Sequence, residues 1–337
     1  MNDHVLITGG SRGIGAATVL EFARAGYDVA FTWNSREDAA LDVVQQAQAL
    51  NPGGRFVALH ADVSDSAQVN AAVQEALQQF GSLQALMCCA GIAQQKLFTD
   101  LTDEDWHRMM GVDLDGVFYA CRAVLPGMIR QKYGRILLVS SMWGQTGGSC
   151  EVHYSAAKAG VIGLTKALAK EEGPSGITVN CVAPGVIETD MMASFTAEDK
   201  AALAEETPVE RLGTPEEVAR TLVFLAGRGA GFITGDQTGI GKGRVNAAII
   251  RWAKRNGKTP VFVTMKPELY ADMLRDLNDI GETGFNPLPT NKLRGKNAIA
   301  LPDGGKLESP SNLDKVIAKA ISQGKLEGFD GIFTTYS

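Results

Sequence analysis

"TGGSRGIG", residues 8–15, follows the short apolar run VLI at 5–7 and precedes the helix-like AATVLEFARAG at 16–26. A glycine-rich turn between a strand and a helix lets backbone approach a pyrophosphate closely and aims the helix's first amides at it. Gly9, Gly13 and Gly15 sit between the strand and the helix, with Ser11, Arg12 and Ile14 in the same loop. Such a turn alone carries little; its position in the first βα unit is what gives it weight.

The same alternation continues through the first two thirds of the chain. DVAFTW (28–33), RFVALHADV (55–63), LQALMCCAG (83–91), GRILLVSS (134–141) and GITVNCVAP (176–184) read as strands. LDVVQQAQAL (41–50), VNAAVQEALQQFG (69–81) and YSAAKAGVIGLTKALAKE (154–171) read as helices between them. This rhythm predicts an α/β fold, a Rossmann-type doubly wound parallel sheet that binds its ligand at the carboxyl ends of the strands.

Composition sets the outer bounds. At 337 residues, with 45% hydrophobic and 21% charged residues, the chain suits one large soluble domain plus a further piece. No apolar run is long enough to span a bilayer, so no membrane partner is expected. The opening MNDHVLITGG enters a strand pattern directly, which predicts a cytoplasmic protein. Five cysteines without a C-x-x-C pair predict reduced, buried thiols and no metal site. Residues 236–337 carry 15 Lys and Arg against 11 Asp and Glu, whereas residues 1–235 carry 17 against 27. An acidic body with a mildly basic tail fits two pieces of different origin and does not call for nucleic acid.

The second strand ends FTWNSRED (31–38). A site selecting NAD places an acid there for the ribose 2′-hydroxyl. Trp33-Asn34-Ser35-Arg36 offers none, while Arg12 and Arg36 are suited to a 2′-phosphate, so NADPH is the expected cofactor.

Chemistry concentrates in SSMWGQTGGSCEVHYSAAK (140–158). Tyr154 and Lys158 are four apart and share one helix face. A nearby ammonium stabilises phenolate and is expected to lower the tyrosine's pKa, which suits proton transfer to a carbonyl oxygen. Ser141, at a strand end, is placed to hydrogen-bond the same oxygen.

These residues, with ADV (61–63), CCAG (88–91) and PGVIET (184–189), resemble a classical short-chain dehydrogenase/reductase over residues 1–235. The resemblance implies Tyr154 as proton donor, Lys158 lowering its pKa and holding the nicotinamide ribose, and Ser141 orienting the carbonyl. It implies Asp62 and Val63 near adenine, and Ala90 and Gly91 near ribose. Pro184, Gly185, Ile187 and Thr189 would bracket the nicotinamide. Two positions depart from the family. Cys88-Cys89 replaces its Asn-Asn, which is expected to cost polar links to neighbouring backbone. Asp113, in GVDLDGVF (111–118), replaces the asparagine that holds a water in the proton relay. An ionised carboxylate accepts but cannot donate hydrogen bonds, so a reduced or pH-shifted relay through Asp113 is expected.

The region is similar overall to 3-oxoacyl-[acyl-carrier-protein] reductases. Trp143, Cys150 and Glu151 resemble more closely the elongation factor P 5-aminopentanone reductases, in which Glu151 would attract a substrate amine. The implied partner is therefore a ketone carried on acyl carrier protein, coenzyme A or a modified elongation factor. DMMASFTAEDKAALAEETPVERLGTPEEVA (190–219) resembles the family's substrate lid, with Met191 and Met192 as either lid or packing residues.

Beyond Gly235 the pattern changes. TGIGKG (238–243) precedes the helix-like VNAAIIRWAKRN (245–256), with Lys242 and the loop amides placed to cradle phosphates. It falls short of the full phosphate-loop pattern, since Asp236 takes the first glycine position and Gly243 replaces the magnesium-binding hydroxyl. Residues 236–337 resemble the strawberry-notch group of superfamily 2 helicase-like proteins, which implies a partial P-loop-like α/β segment. No strand of its own leads into the loop, no acidic Walker B motif follows, and no second motor domain exists, so ATP hydrolysis is not expected. The chain thus reads as a junction, which a gene fusion, a recombination or an assembly error would each produce. The reductase sheet would lack its usual last strand, which exposes an edge that TPVFVTM (259–265) is available to pair. In related reductases that strand helps build a tetramer, so a homo-oligomer is expected only where its loss is tolerated.

Overall fold

The computed structural model describes residues 3–193, 195–207 and 209–227, and residues 250–335 except 252, 256, 258, 265–268, 280, 294, 302–304, 324 and 325. The chain divides into two compact units, Met1–Ala230 and Gly231–Ser337.

In the first unit, six strands form one parallel sheet: β1 (His4–Thr8), β2 (Asp28–Trp33), β3 (Phe56–His60), β4 (Ala85–Cys88), β5 (Gly134–Val139) and β6 (Ile177–Val182). Their order is β3-β2-β1-β4-β5-β6. The helices are α1 (Gly13–Arg24), α2 (Glu37–Leu50), α3 (Ser66–Phe80), α4 (Asp103–Met110), α5 (Gly116–Gln131), α6 (Trp143–Thr146), α7 (Val152–Glu172), α8 (Ala197–Glu206) and α9 (Pro215–Ala226). Central strands of such a sheet must be apolar on both faces, which is why HVLIT and RILLV read as near-continuous hydrophobic runs.

Alternation of the pleat sends those residues to two separate cores. Leu6, Leu86, Ile136 and Leu138 pack with Val73 of α3, Val124 of α5 and Val161 of α7. Val5, Ile7, Phe31, Met87 and Leu137 pack with Val19 and Phe22 of α1, Val43 of α2 and Leu222 of α9. Helices therefore cover both faces, as the βα rhythm predicts. Polar side chains fix several helix starts: Asp65 accepts from the amides of Ala67 and Gln68 at α3, and Thr214 and Glu217 form a capping box at α9.

Order reverses between β1 and β4, so the loops leaving these strands diverge and open a crevice at their carboxyl ends. One irregularity lies beside it. Between α4 and α5 the helix widens into a π-helical turn, Gly111–Asp115, that carries the fully buried Asp113. Such turns are frequent at functional sites because the extra residue redirects a side chain.

The second unit contains β7 (Val261–Thr264), α10 (Leu269–Asp279), β8 (Pro287–Pro289), β9 (Ile299–Ala300), β10 (Lys306–Leu307), α11 (Leu313–Gln323) and β11 (Gly331–Thr335). Strands β7, β11 and β8 form a parallel sheet in that order. Tyr270, Leu277, Phe285 and Phe333 centre its core. TPVFVTM contributes β7, which is hydrogen-bonded to β11 within the tail's own sheet. The apolar residues of FDGIFTTYS supply that partner. TGIGKG, Lys242 and the place of a last reductase strand all lie outside the described residues. Among the described residues no helix is long and apolar enough to cross a membrane.

Candidate active site

The glycine turn closes the bottom of the crevice. Gly9 sits at a φ of 70°, and a Cβ there would lie 2.6 Å from the Cα of Ala90. The loops after β1 and β4 can meet this closely only because Gly9 has no side chain. The turn is tied on its other side to β2: the Gly9 amide donates to Thr32 Oγ1 at 3.1 Å, and the Gly10 amide to the Thr32 carbonyl at 2.9 Å. Gly13, at a φ of 53°, opens α1, whose start has neither a side-chain cap nor an acid in the first turn. Its leading amides therefore face the crevice without an internal anion, which suits a bound phosphate. Ser11 and Arg12 are on the rim, and Ile14 packs beneath, against the second core.

Other predicted residues converge on this turn. A Cβ on Gly13 would lie 3.4 Å from Thr189 Cγ2, and Arg12 Nη1 lies 3.9 Å from Asp190 Oδ2. The Pro184 carbonyl accepts from the Met142 amide at 2.9 Å, which ties the loop after β6 to the loop after β5. Gly185 lies beside Met142, and Ile187 forms a bridge with Gly213. Past β3, Asp62 accepts from the amide and hydroxyl of Ser64 at 2.9 and 2.7 Å, and Val63 is buried. Arg36 is engaged by Asp38 through two hydrogen bonds of 2.9 and 2.7 Å. That pairing holds the Asp38 carboxyl down at about 2 and raises Arg36 from its ordinary value.

The reacting end lies over β5 and α7. Ser141 follows β5 and its Oγ accepts from the Trp143 amide at 3.2 Å. Lys158 is buried, and its Nζ donates to the Val139 carbonyl at 3.2 Å. The same ammonium sits 5.6 Å from the centre of the Tyr154 ring and 2.9 Å from Asp113 Oδ2. Asp113 Oδ1 accepts from the Ile92 amide at 2.8 Å. Gly91 permits this cluster, because a Cβ there would lie 2.9 Å from Asp113 Oδ2.

One expectation is corrected in its net direction. The Tyr154 phenol is raised, not lowered, from its ordinary value. Burial is the main cause; Lys158 and a hydrogen bond to Ser141 pull the other way, while Asp113 adds to the rise. Lys158 is itself raised: burial disfavours its charge, but Asp113 and Tyr154 together outweigh that. At Cys88-Cys89 the backbone links are present: the Cys89 amide donates to the Thr8 carbonyl at 3.2 Å and the Ala90 amide to Thr8 Oγ1 at 3.3 Å. Cys88 is buried and Cys89 half-buried, and desolvation pushes Cys89 up to about 12.

Several supporting residues were not singled out from sequence. Thr8 and Thr32 pin the glycine turn, and Ser140 Oγ donates to the Lys158 carbonyl at 2.8 Å. A Cβ on Gly144 would lie 2.7 Å from that Ser140 Oγ, so α6 presses on α7 at the site. Their only sequence signal is adjacency to strand ends, where polar residues in apolar runs need partners. The lid residues divide: Met192 is buried as packing, whereas Met191 is exposed.

A glycine turn at the switch point, facing a buried tyrosine–lysine pair across the same crevice, defines an oxidoreductase of the dinucleotide-binding α/β class. The comparisons with known proteins agree. Residues 9–244 match the family model described as "Enoyl-(Acyl carrier protein) reductase", a match that runs past Gly235. The 3-oxoacyl-[acyl-carrier-protein] reductase FabG of Staphylococcus aureus is 38% identical, over 72% of this chain and 98% of that protein. The 3-oxoacyl-[acyl-carrier-protein] reductase of Synechocystis sp. is 40% identical, over 71% of this chain and 96% of that one. The solved structure titled "Crystal structure of gox2181" superposes with a TM-score of 0.63 at 33% identity, covering 67% of this chain and 88% of that one. The chain belongs to the short-chain dehydrogenase/reductase family, whose members use NAD(P)H.

Proposed function

We propose that the protein reduces a 3-oxoacyl thioester to its 3-hydroxyacyl form, with NADPH as cofactor and acyl carrier protein or coenzyme A as the carrier. The observation that carries this reading is the gathering of Ser141, Tyr154 and Lys158 at the end of the glycine-lined crevice. The narrow cradle around Gly9 and Gly13 suits a dinucleotide, with Asp62, Val63, Ala90 and Gly91 beside its adenosine half and Pro184, Gly185, Ile187 and Thr189 beside its nicotinamide half. Arg12 and Arg36, with no acid at the end of β2, favour NADPH over NADH. When bound, NADPH supplies the hydride that reaches the carbonyl carbon. Tyr154 gives its phenolic proton to the carbonyl oxygen, Ser141 holds that oxygen by a hydrogen bond, and Lys158 steadies the phenolate left behind. The raised phenol keeps Tyr154 protonated at neutral pH, as a proton donor must be.

Consumption of NADPH by the purified chain with a 3-oxoacyl thioester, lost in Tyr154→Phe while NADPH still binds, is the expected result. Failure with every thioester despite NADPH binding overturns this substrate class. A second reading has one observation in its favour: Glu151, held by Gln95 Nε2 at 3.2 Å, stands immediately before α7 and acts electrostatically on Tyr154. A carboxylate there suits a substrate amine, as in a 5-aminopentanone group on an elongation factor, and turnover of that ketone alone selects it. For residues 236–337 the resemblance to helicase-like proteins makes nucleotide or nucleic-acid binding the reading of another class. Protection of Lys242 from acylation by ATP is its test.

A further inference from the structure

Asp113 is the one carboxylate among the described residues that reaches both partners of the tyrosine–lysine pair. It has no exposed surface, is anchored by the Ile92 amide at 2.8 Å, and holds Lys158 Nζ at 2.9 Å. Opposite charges at that separation inside a protein interact strongly, so Asp113 counters part of the ammonium's pull on the phenol. Groups facing the pair from the surrounding elements are few. Glu151 precedes α7, Ser141 follows β5, and Cys181 of β6 with Cys88 and Cys89 at β4 lie within electrostatic reach of Lys158. The three thiols are pushed up, Cys88 first by Cys121 and Cys89 and Cys181 first by burial, which leaves Asp113 as the anion that opposes Lys158 at the core of the site.

We propose that Asp113 is a positioning residue that sets the ionisation of this site: its buried ion pair with Lys158 counters the lysine's stabilisation of the Tyr154 phenolate. This rests on Tyr154 as the proton donor. In carbonyl reduction the phenol gives its proton to the oxygen as the carbon–hydrogen bond forms from NADPH. In the reverse direction phenolate must take the hydroxyl proton while NADP+ accepts the hydride. One direction needs the phenol and the other the phenolate, so the charge at position 113 moves the pH limbs of both together.

The test compares the full chain with Asp113→Asn, which preserves shape and removes the charge. The pH profile of 3-hydroxyacyl thioester oxidation is expected to shift toward lower pH. The alkaline limb of reduction is expected to shift in the same direction. Ultraviolet titration of phenolate, with Tyr154→Phe as the subtraction, reads the same shift without any substrate. An unchanged phenolate titration in Asp113→Asn overturns the proposal. A shifted titration with no turnover of any ketone supports it and counts instead against the substrate reading. Should Asp113→Asn not fold, Asp113→Ser removes the same charge, and the same shift or its absence decides.

Discussion

Tyr154 and Gly9 illustrate how differently two site residues are constrained. In the proposed reaction Tyr154 acts through one proton, and Tyr154→Phe is expected to cut ketone reduction by about a hundred- to ten-thousandfold while leaving NADPH affinity nearly intact. Parallel turnover assays and cofactor fluorescence titrations check this. Gly9 matters through space. Gly9→Ala combines a positive φ with a Cβ driven against the Ala90 backbone. It is expected to cost about 1–3 kcal/mol of stability and to weaken NADPH binding sharply. Chemical denaturation and cofactor titration measure both, and an unchanged affinity would contradict the pairing of these two loops. The glycines and the tyrosine–lysine spacing were legible in the chain. The ion pair between Asp113 and Lys158 was not, because the two are 45 residues apart and meet only where a π-helical turn rotates a carboxylate inward.

Among the helices, α1 serves both the core and the cofactor crevice. Phe22 on its inner face has no exposed surface, so Phe22→Ala is expected to cost about 3–5 kcal/mol, read as a lower denaturation midpoint. Its amphipathic spacing was plain from AATVLEFARAG, as were the buried strands. Helix α9 shows an effect set by charge. Arg211 donates to Glu217 at 2.6 and 2.9 Å, and this hydrogen bonding holds the Glu217 carboxyl down at about 2, below its ordinary 4.5. Because the folded value is depressed, the stabilisation is complete above the ordinary value and is lost as pH falls toward about 2. Carboxyl titration by NMR is expected to find Glu217 ionised well into acid, and moved partway back toward its ordinary value in Arg211→Ala, where the Thr214 amide still donates to it. The capping box of Thr214 and Glu217 could be read locally, whereas the reach of Arg211 back to Glu217 depends on how the loop before α9 turns.

Over the whole molecule, two separate cores predict two unfolding events. The first unit is built on the doubly wound sheet and the second on Tyr270, Phe285 and Phe333. Calorimetry of the intact chain is expected to resolve two transitions, the one for the reductase unit below that of a complete family member if its last strand is lost. NADPH is expected to raise the reductase transition and leave the other unmoved. A single cooperative transition that shifts as one with NADPH would contradict two independent cores.

Local pattern was enough to specify the strands, the helices, the glycine turn and the residues Ser141, Tyr154 and Lys158. Each depends on spacing within a few residues, and period-two or period-3.6 burial is written directly into composition. The direction of the tyrosine's proton affinity needed the folded molecule, because burial and a distant carboxylate together outweigh the lysine beside it. So did the partner of TPVFVTM, which a strand's sequence leaves open and the neighbouring β11 supplies. Long-range electrostatics and strand pairing are properties of what the chain brings together, and no window of adjacent residues contains them.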